Sequence, residues 1–198
     1  MKFVPRSETT RNLIIEATAE LFNKKGYAGT SIADMEKATK LTKGSIYGNF
    51  ENKEQVALAA FDYNLEAIRK KIRTVVDAAP SYKGKILAYL DAYNNGHVVN
   101  SGGCPLQNTA VEADDTHEEL RKRAADGLLA FKGSIVELIN KGIGAREFRE
   151  DVNAEIAALT FVALVEGAIL ISRATKDRSA LKTILESARK NIEEICIR

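Results

Sequence analysis

Apolar residues recur three or four positions apart along almost the whole chain, the period of a helix with one buried face. Ile14, Ala17, Leu21 and Phe22 form such a stripe in a first helix over residues 9–25, and Gly26 supplies its stop. Ile32, Met35 and Ala38 mark a short second helix, and Ile46 with Phe50 a third that begins at the Thr42 cap. A fourth runs from the Asn52 cap to about residue 78, before Pro80, with Val56, Leu58, Phe61, Leu65, Ile68, Ile72 and Val75 on its apolar side. At 1.5 Å per residue it is roughly 40 Å long, more than a small N-terminal bundle can cover. Further helices are predicted over 82–99, 106–112 and 118–141. An almost wholly apolar one over 153–175 is expected to be buried on most sides, and an amphipathic one follows over 179–196. No strand pattern and no repeat emerges. The expected fold class is all-α, about nine helices, divided into residues 1–52 and 53–198.

Residues 30–54, TSIADMEKATKLTKGSIYGNFENKE, carry the densest local chemistry. Thr30 and Ser31 suit an N-cap, and Asp34 falls in the first turn, where the helix dipole favours an acid. Leu41 plugs the corner before Thr42. Ile46 and Phe50 share one face of the third helix and anchor it, which leaves Lys43, Ser45, Tyr47 and Asn49 on the more exposed side. Gly44 has no side chain to keep a phosphate at a distance. Two short helices joined by a three- or four-residue turn have the geometry of a DNA reader, and also that of any surface helical hairpin.

The run T-K-G-S-I-Y-x-N-F-x-N-K-E, residues 42–54, within GYAGTSIADMEKATKLTKGSIYGNFENKEQV, resembles the DNA-binding signature of the TetR/AcrR family of bacterial transcriptional regulators. The resemblance is dense over residues 9–58. Lys40 departs from it: the family usually has Gly or Asn there, at a turn position expected to be left-handed. At Gly48 many relatives carry a large side chain. The resemblance implies a recognition helix in the major groove of one half-site of a double-stranded DNA operator. Lys43, Tyr47 and Asn49 would supply base-edge or phosphate contacts, with Ser45 and Gly44 beside them, while Thr30, Thr42 and Lys53 would hold phosphates. It also implies a small-molecule pocket enclosed by helices 4 to 8, a homodimer through the last two helices (about 153–197), and release from DNA on effector binding. In the second part only GGCPLQNTAVEADD and LVEGAILISR look familiar.

Composition changes this picture little. The 198 residues are 45% hydrophobic and 28% charged, which suits a globular chain with one sizeable core or two small ones. Residues 1–54 hold nine Lys/Arg against seven Asp/Glu and the rest holds twenty of each, so the net +2 lies in the presumptive reader. No run reads as a membrane span and the start, MKFVPRSETTR, is polar, so a cytoplasmic location and no membrane partner are expected. Cys104 and Cys196 make neither a disulfide framework nor a zinc site, and no cofactor is implied.

Polar or aromatic groups on otherwise apolar helices are the candidate effector contacts: Tyr63, Tyr89, Tyr93, His97, Asn108, Glu112, Phe131, Phe161 and Glu166. Most aromatics in helical proteins only fill volume, but a carboxylate such as Glu166 in an apolar helix needs a partner or water. Cys104 precedes a helix, where a thiol can be reactive. Pro105 removes one nearby N–H donor, and a small buried apolar role is the commoner one for a lone cysteine. His97 and His117 have no metal spacing or nucleophile motif, so an enzyme is not expected. The competing class is a small-molecule binding or scaffold protein that retains a vestigial helix-turn-helix.

Overall fold

A computed structural model describes residues 6–96 and 101–197. Among them are nine helices: α1 (Arg6–Lys25), α2 (Ile32–Thr39), α3 (Lys43–Tyr47), α4 (Lys53–Ala78), α5 (Tyr82–Asn94), α6 (Pro105–Ala113), α7 (Glu118–Gly144), α8 (Ala154–Thr175) and α9 (Arg178–Glu194). The described residues contain no strand, only an isolated antiparallel bridge between Phe148 and Cys196. The chain forms two compact units, Met1–Ala67 with Asn100–Ala125, and Ile68–Val99 with Asp126–Arg198. Compactness is therefore divided differently from the sequence division at residue 52. α6 and the start of α7 belong to the N-terminal unit, although the chain on either side of them belongs to the other.

The first unit is built on a core of Ile14, Phe22, Met35, Ile46, Phe50 and Val56 with small alanines between them. Its helices start and stop through side-chain chemistry. Ser31 caps α2 reciprocally with Asp34, each accepting the other's backbone N–H. Lys40 ends α2 at φ 61°, left-handed as expected of that turn position, and its N–H bonds the Glu36 carbonyl at 2.9 Å. Thr42 accepts the Ser45 N–H and Asn52 that of Gln55. Within α2 the buried partner of Met35 is Thr39 rather than Ala38, which is exposed. The Thr39 hydroxyl satisfies itself on the Met35 carbonyl at 2.8 Å, which is what lets a polar residue sit there. α3 is shorter than expected, but i→i−4 bonding continues past it, from the Phe50 N–H to the Ile46 carbonyl at 3.1 Å.

In the second unit α9 packs on α8 and on α5. Leu181, Leu185, Ala188 and Ile192 bury one side of α9. Charged Lys182, Glu186, Arg189 and Glu193 occupy another, and a third carries exposed Thr183, Ser187 and Asn191 together with Lys190 and Glu194. α7 does not stop at Lys141: it continues to Gly144, and Gly142 serves packing, since the Phe148 ring stands where its side chain would be. α5 is helical only to Asn94, short of the expected residue 99. Glu147 accepts the N–H groups of Tyr82 and Lys83 at 3.0 and 2.8 Å, capping α5 from across the chain.

α8 overturns two expectations. By length and apolar composition it could cross a membrane, although the sequence showed no such run to inspection. It is also not buried on most sides within the chain. Ala158, Phe161, Val162, Val165, Ala168 and Ile169 are buried, whereas Ile156, Leu159, Leu170 and Ile171 are 65, 60, 52 and 44% exposed. At 100° per residue the exposed set, with Ala163 and Ala174, lies opposite the buried one.

Candidate DNA-binding site

Fully buried Ile46 and nearly buried Phe50 fix α3 to its core, so the remaining side of this short helix faces outward. Arg11 secures the far end. Its guanidinium lies 3.9 Å from the Phe50 ring centre and donates to the Asn49 carbonyl at 2.7 Å. The sequence offered no signal for this role beyond a basic residue on α1. At the near end the Lys43 N–H donates to the Glu36 carboxylate at 2.6 Å, a second positioning contact absent from the sequence reading.

The expected contact residues divide. Thr42, Lys43 and Gly44 are exposed. A side chain at Gly44 would meet only the Thr42 Oγ1, at 4.0 Å, so the fold itself has no need of glycine there. Ser45, Tyr47 and Asn49 are half-buried. Tyr47 leans on the core, and the Asn49 amide nitrogen donates to the Ser45 carbonyl at 2.9 Å, leaving its oxygen as the available group. Lys53 is half-buried with its ammonium 4.4 Å from the Tyr27 ring centre. Thr30 is corrected. It is fully buried and its hydroxyl donates to the Gly26 carbonyl at 2.7 Å, so it braces the turn and presents no atom to a phosphate. Nearby, the Lys25 ammonium, and then the Ser31 backbone, hold the Asp34 carboxyl well below the usual carboxylate range. Lys37, Lys40 and Lys43 are exposed on this part of the chain.

The expected effector contacts also separate. Tyr89, Phe131 and Phe161 come together in the second unit, with ring centres 5.6 Å apart for the stacked Tyr89–Phe131 pair and 6.3 Å for each edge-on pair with Phe161. Tyr93 is buried and Glu166 half-buried in that unit. A cavity of about 280 Å³ there is lined by Phe161 with Ile156, Thr160, Asn191, Ile192 and Ile195. Thr160 and Asn191 read as ordinary surface polars in the sequence, and only the packing of α8 on α9 marks them.

Tyr63, Cys104, Asn108 and Glu112 belong to the other unit. Tyr63 is 44% exposed, and Cys104 is buried at the N-cap of α6. Asn108 and Glu112 are corrected from effector contacts to internal ties. The Asn108 amide nitrogen donates to the carbonyls of Asn23 and Gly102, and the Glu112 carboxylate accepts the N–H groups of Tyr27 and Ala28. The cavity beside Glu112 is about 20 Å³, room for a single water. His97 lies outside the described residues.

Comparison with known proteins divides the chain by sequence and cuts across these units. The pattern described as "Bacterial regulatory proteins, tetR family" matches residues 14–60, and the "Tetracyclin repressor-like, C-terminal domain" matches residues 83–188. The crystal structure of a TetR-family transcriptional regulator from Cytophaga hutchinsonii is 50% identical, covers all of both chains and superposes with a TM-score of 0.96. One from Chloroflexus aurantiacus is 36% identical over 96% of this chain and 98% of that one, with a TM-score of 0.91. The transcriptional regulator LmrA of Bacillus subtilis is 29% identical over 87% of this chain and 90% of its own. With a short helix held by Ile46 and Phe50 and Thr42, Lys43 and Gly44 turned outward inside the matched N-terminal region, the chain belongs to the tetR family of DNA-binding transcriptional regulators.

Proposed function

We propose that the protein is a cytoplasmic homodimeric repressor that a small molecule releases from its operator. In this reading residues 1–52 read DNA and residues 53–198 dimerise and bind effector. The observation that carries the DNA side is Gly44: a side chain there would meet only the Thr42 Oγ1, at an ordinary 4.0 Å, so its smallness serves something outside the chain. Lys43, Tyr47 and the Asn49 oxygen then contact bases or phosphates, with Ser45 beside them and Thr42 and Lys53 on the backbone.

The dimer is supported by the two-sided character of α8. An apolar stripe opposite the core suits a second copy of the same surface. Two readers related by a two-fold axis match a palindromic site. Relatives named as repressors, DhaR of a Mycobacterium and NemR of Escherichia coli, and the fold-related CifR, determined with a 26-base-pair operator, fit the same scheme. The effector contacts are Tyr89, Phe131 and Phe161.

The test is selection of bound duplexes from random DNA, repeated with candidate effectors. A palindromic preference with a steep salt slope is expected. Binding without sequence preference would leave a scaffold with a vestigial helix-turn-helix.

A further inference from the structure

The corner between α1 and α2, residues 26–29, determines where the two reading helices point, and its backbone groups have few local partners. The Gly26 carbonyl accepts from the Thr30 hydroxyl, and the Tyr27 carbonyl from the Thr30 N–H at 3.4 Å. The N–H groups of Tyr27 and Ala28 lie past the end of α1 and find no carbonyl there. Both are taken by one carboxylate: Glu112 accepts from Tyr27 at 2.8 Å and from Ala28 at 2.9 Å, one bond to each oxygen. Gly26, at φ +74°, is doubly required, because a side chain there would also fall on that carboxylate.

The grip repeats one turn away. Asn108, four residues before Glu112 and on the same face of α6, donates to the carbonyl of Asn23, four residues before Tyr27. Asn23 in turn donates to the carbonyls of Ser101 and Gly103, at 2.9 and 3.2 Å, in the loop that leads into α6. α6 thus holds the last turn of α1 and the corner by two matched ties.

We propose that Glu112 is a positioning residue for DNA reading: from α6 its carboxylate holds the α1–α2 corner in the conformation that aims α3. This rests on the DNA-binding regulator reading above and specifies how its reader is kept in register. Without the carboxylate the two N–H groups turn to water and the corner samples other conformations. The affinity for DNA then falls by the fraction of molecules still correctly aimed.

The test uses the full-length protein and the duplex recovered by selection from random DNA. Glu112→Gln keeps the size but offers one acceptor oxygen, whereas Glu112→Ala offers none. At a temperature well below unfolding, affinity is expected to fall about tenfold for Gln and about a hundredfold for Ala. Amide exchange should quicken in the segment 26–29 in the same order. A residue that only stabilises the fold would lower the unfolding temperature without this grading in affinity. Should Ala not fold, the Gln variant alone decides. Wild-type affinity in Glu112→Gln, with exchange at 26–29 unchanged or merely quickened, overturns the assignment and leaves the regulator intact. A wild-type protein without sequence preference overturns both.

Discussion

The reader and the α8–α9 pair handle apolar surface in opposite ways. In the reader each helix has one apolar side, and that side is buried: Ile14, Phe22, Met35, Ile46 and Phe50 are all at or below 8% exposure. What remains outside is mostly polar, glycine or alanine, with Leu13 on α1, 46% exposed, as the large apolar exception. α8 instead carries apolar residues on two opposite sides, and the chain itself covers one. The comparison teaches that the reader closes its apolar core within its own unit, with α6 bracing the α1–α2 corner. The exposed side of α8 leaves a stripe of Ile and Leu in water, and covering it would gain about 25 cal/mol per Å².

Five outcomes would break or sharpen that contrast. The largest is expected from Leu170→Glu. If a second copy covers α8, the substitution places a desolvated carboxylate in the seam, and the dimer dissociation constant should rise by at least about 100-fold, read by sedimentation equilibrium. An unchanged mass distribution would mean that α8 is not the seam.

Next comes Lys43→Ala in the reader. It removes a side chain that faces outward and anchors nothing, so folding should be untouched. Affinity for the selected duplex should drop roughly 5- to 150-fold, and if Lys43 meets a phosphate the salt slope should fall by about one. Intact affinity in a gel-shift titration at fixed salt would remove Lys43 from the interface.

Two smaller substitutions ask whether the reader is as locally determined as it looks. Ser31→Ala deletes half of the capping box and should cost about 1 kcal/mol in urea unfolding. Lys40→Gly should act in the opposite direction, by about 1 kcal/mol or less, because Lys40 holds a left-handed φ of 61° that glycine adopts without penalty. A destabilised Lys40→Gly would mean that the lysine side chain does more for the turn than its backbone conformation takes away.

The smallest effect is a pH dependence. The Asp34 carboxyl is depressed by the Lys25 ammonium and the Ser31 bonds, so its contribution to stability is present above the ordinary Asp value of 3.8 and is lost as pH falls below it. Acid unfolding of the wild type should therefore be steeper below about pH 4 than that of Asp34→Asn. The group is partly exposed, so high salt should narrow the gap between them. Parallel acid limbs would count against the Lys25 pairing.

How much could be read in advance varied with the range of the interaction. The caps at Ser31, Thr42 and Asn52 were legible because each joins residues three apart, and so was the left-handed turn at Lys40. The Ile46–Phe50 anchor was legible as a four-residue spacing. Thr30 misled, since a Thr suited to a cap or a phosphate is equally suited to bracing a turn, and only its burial separates the two. Glu112 and Asn108 misled for a related reason. A polar residue on an apolar helix signals a partner without saying whether that partner is a ligand or the backbone of residues 23–28, some 85 positions away.

Sequence alone determined the all-helical class, the helix-turn-helix and the family, because these rest on periodicity and on contacts within a turn or two. Tertiary structure alone decided that Arg11 and Glu36 hold the ends of α3, that Glu112 binds the α1–α2 corner, and that one side of α8 stays uncovered. Those facts depend on which distant segments meet. A spacing along the chain specifies which residues share a face, but not what that face will touch.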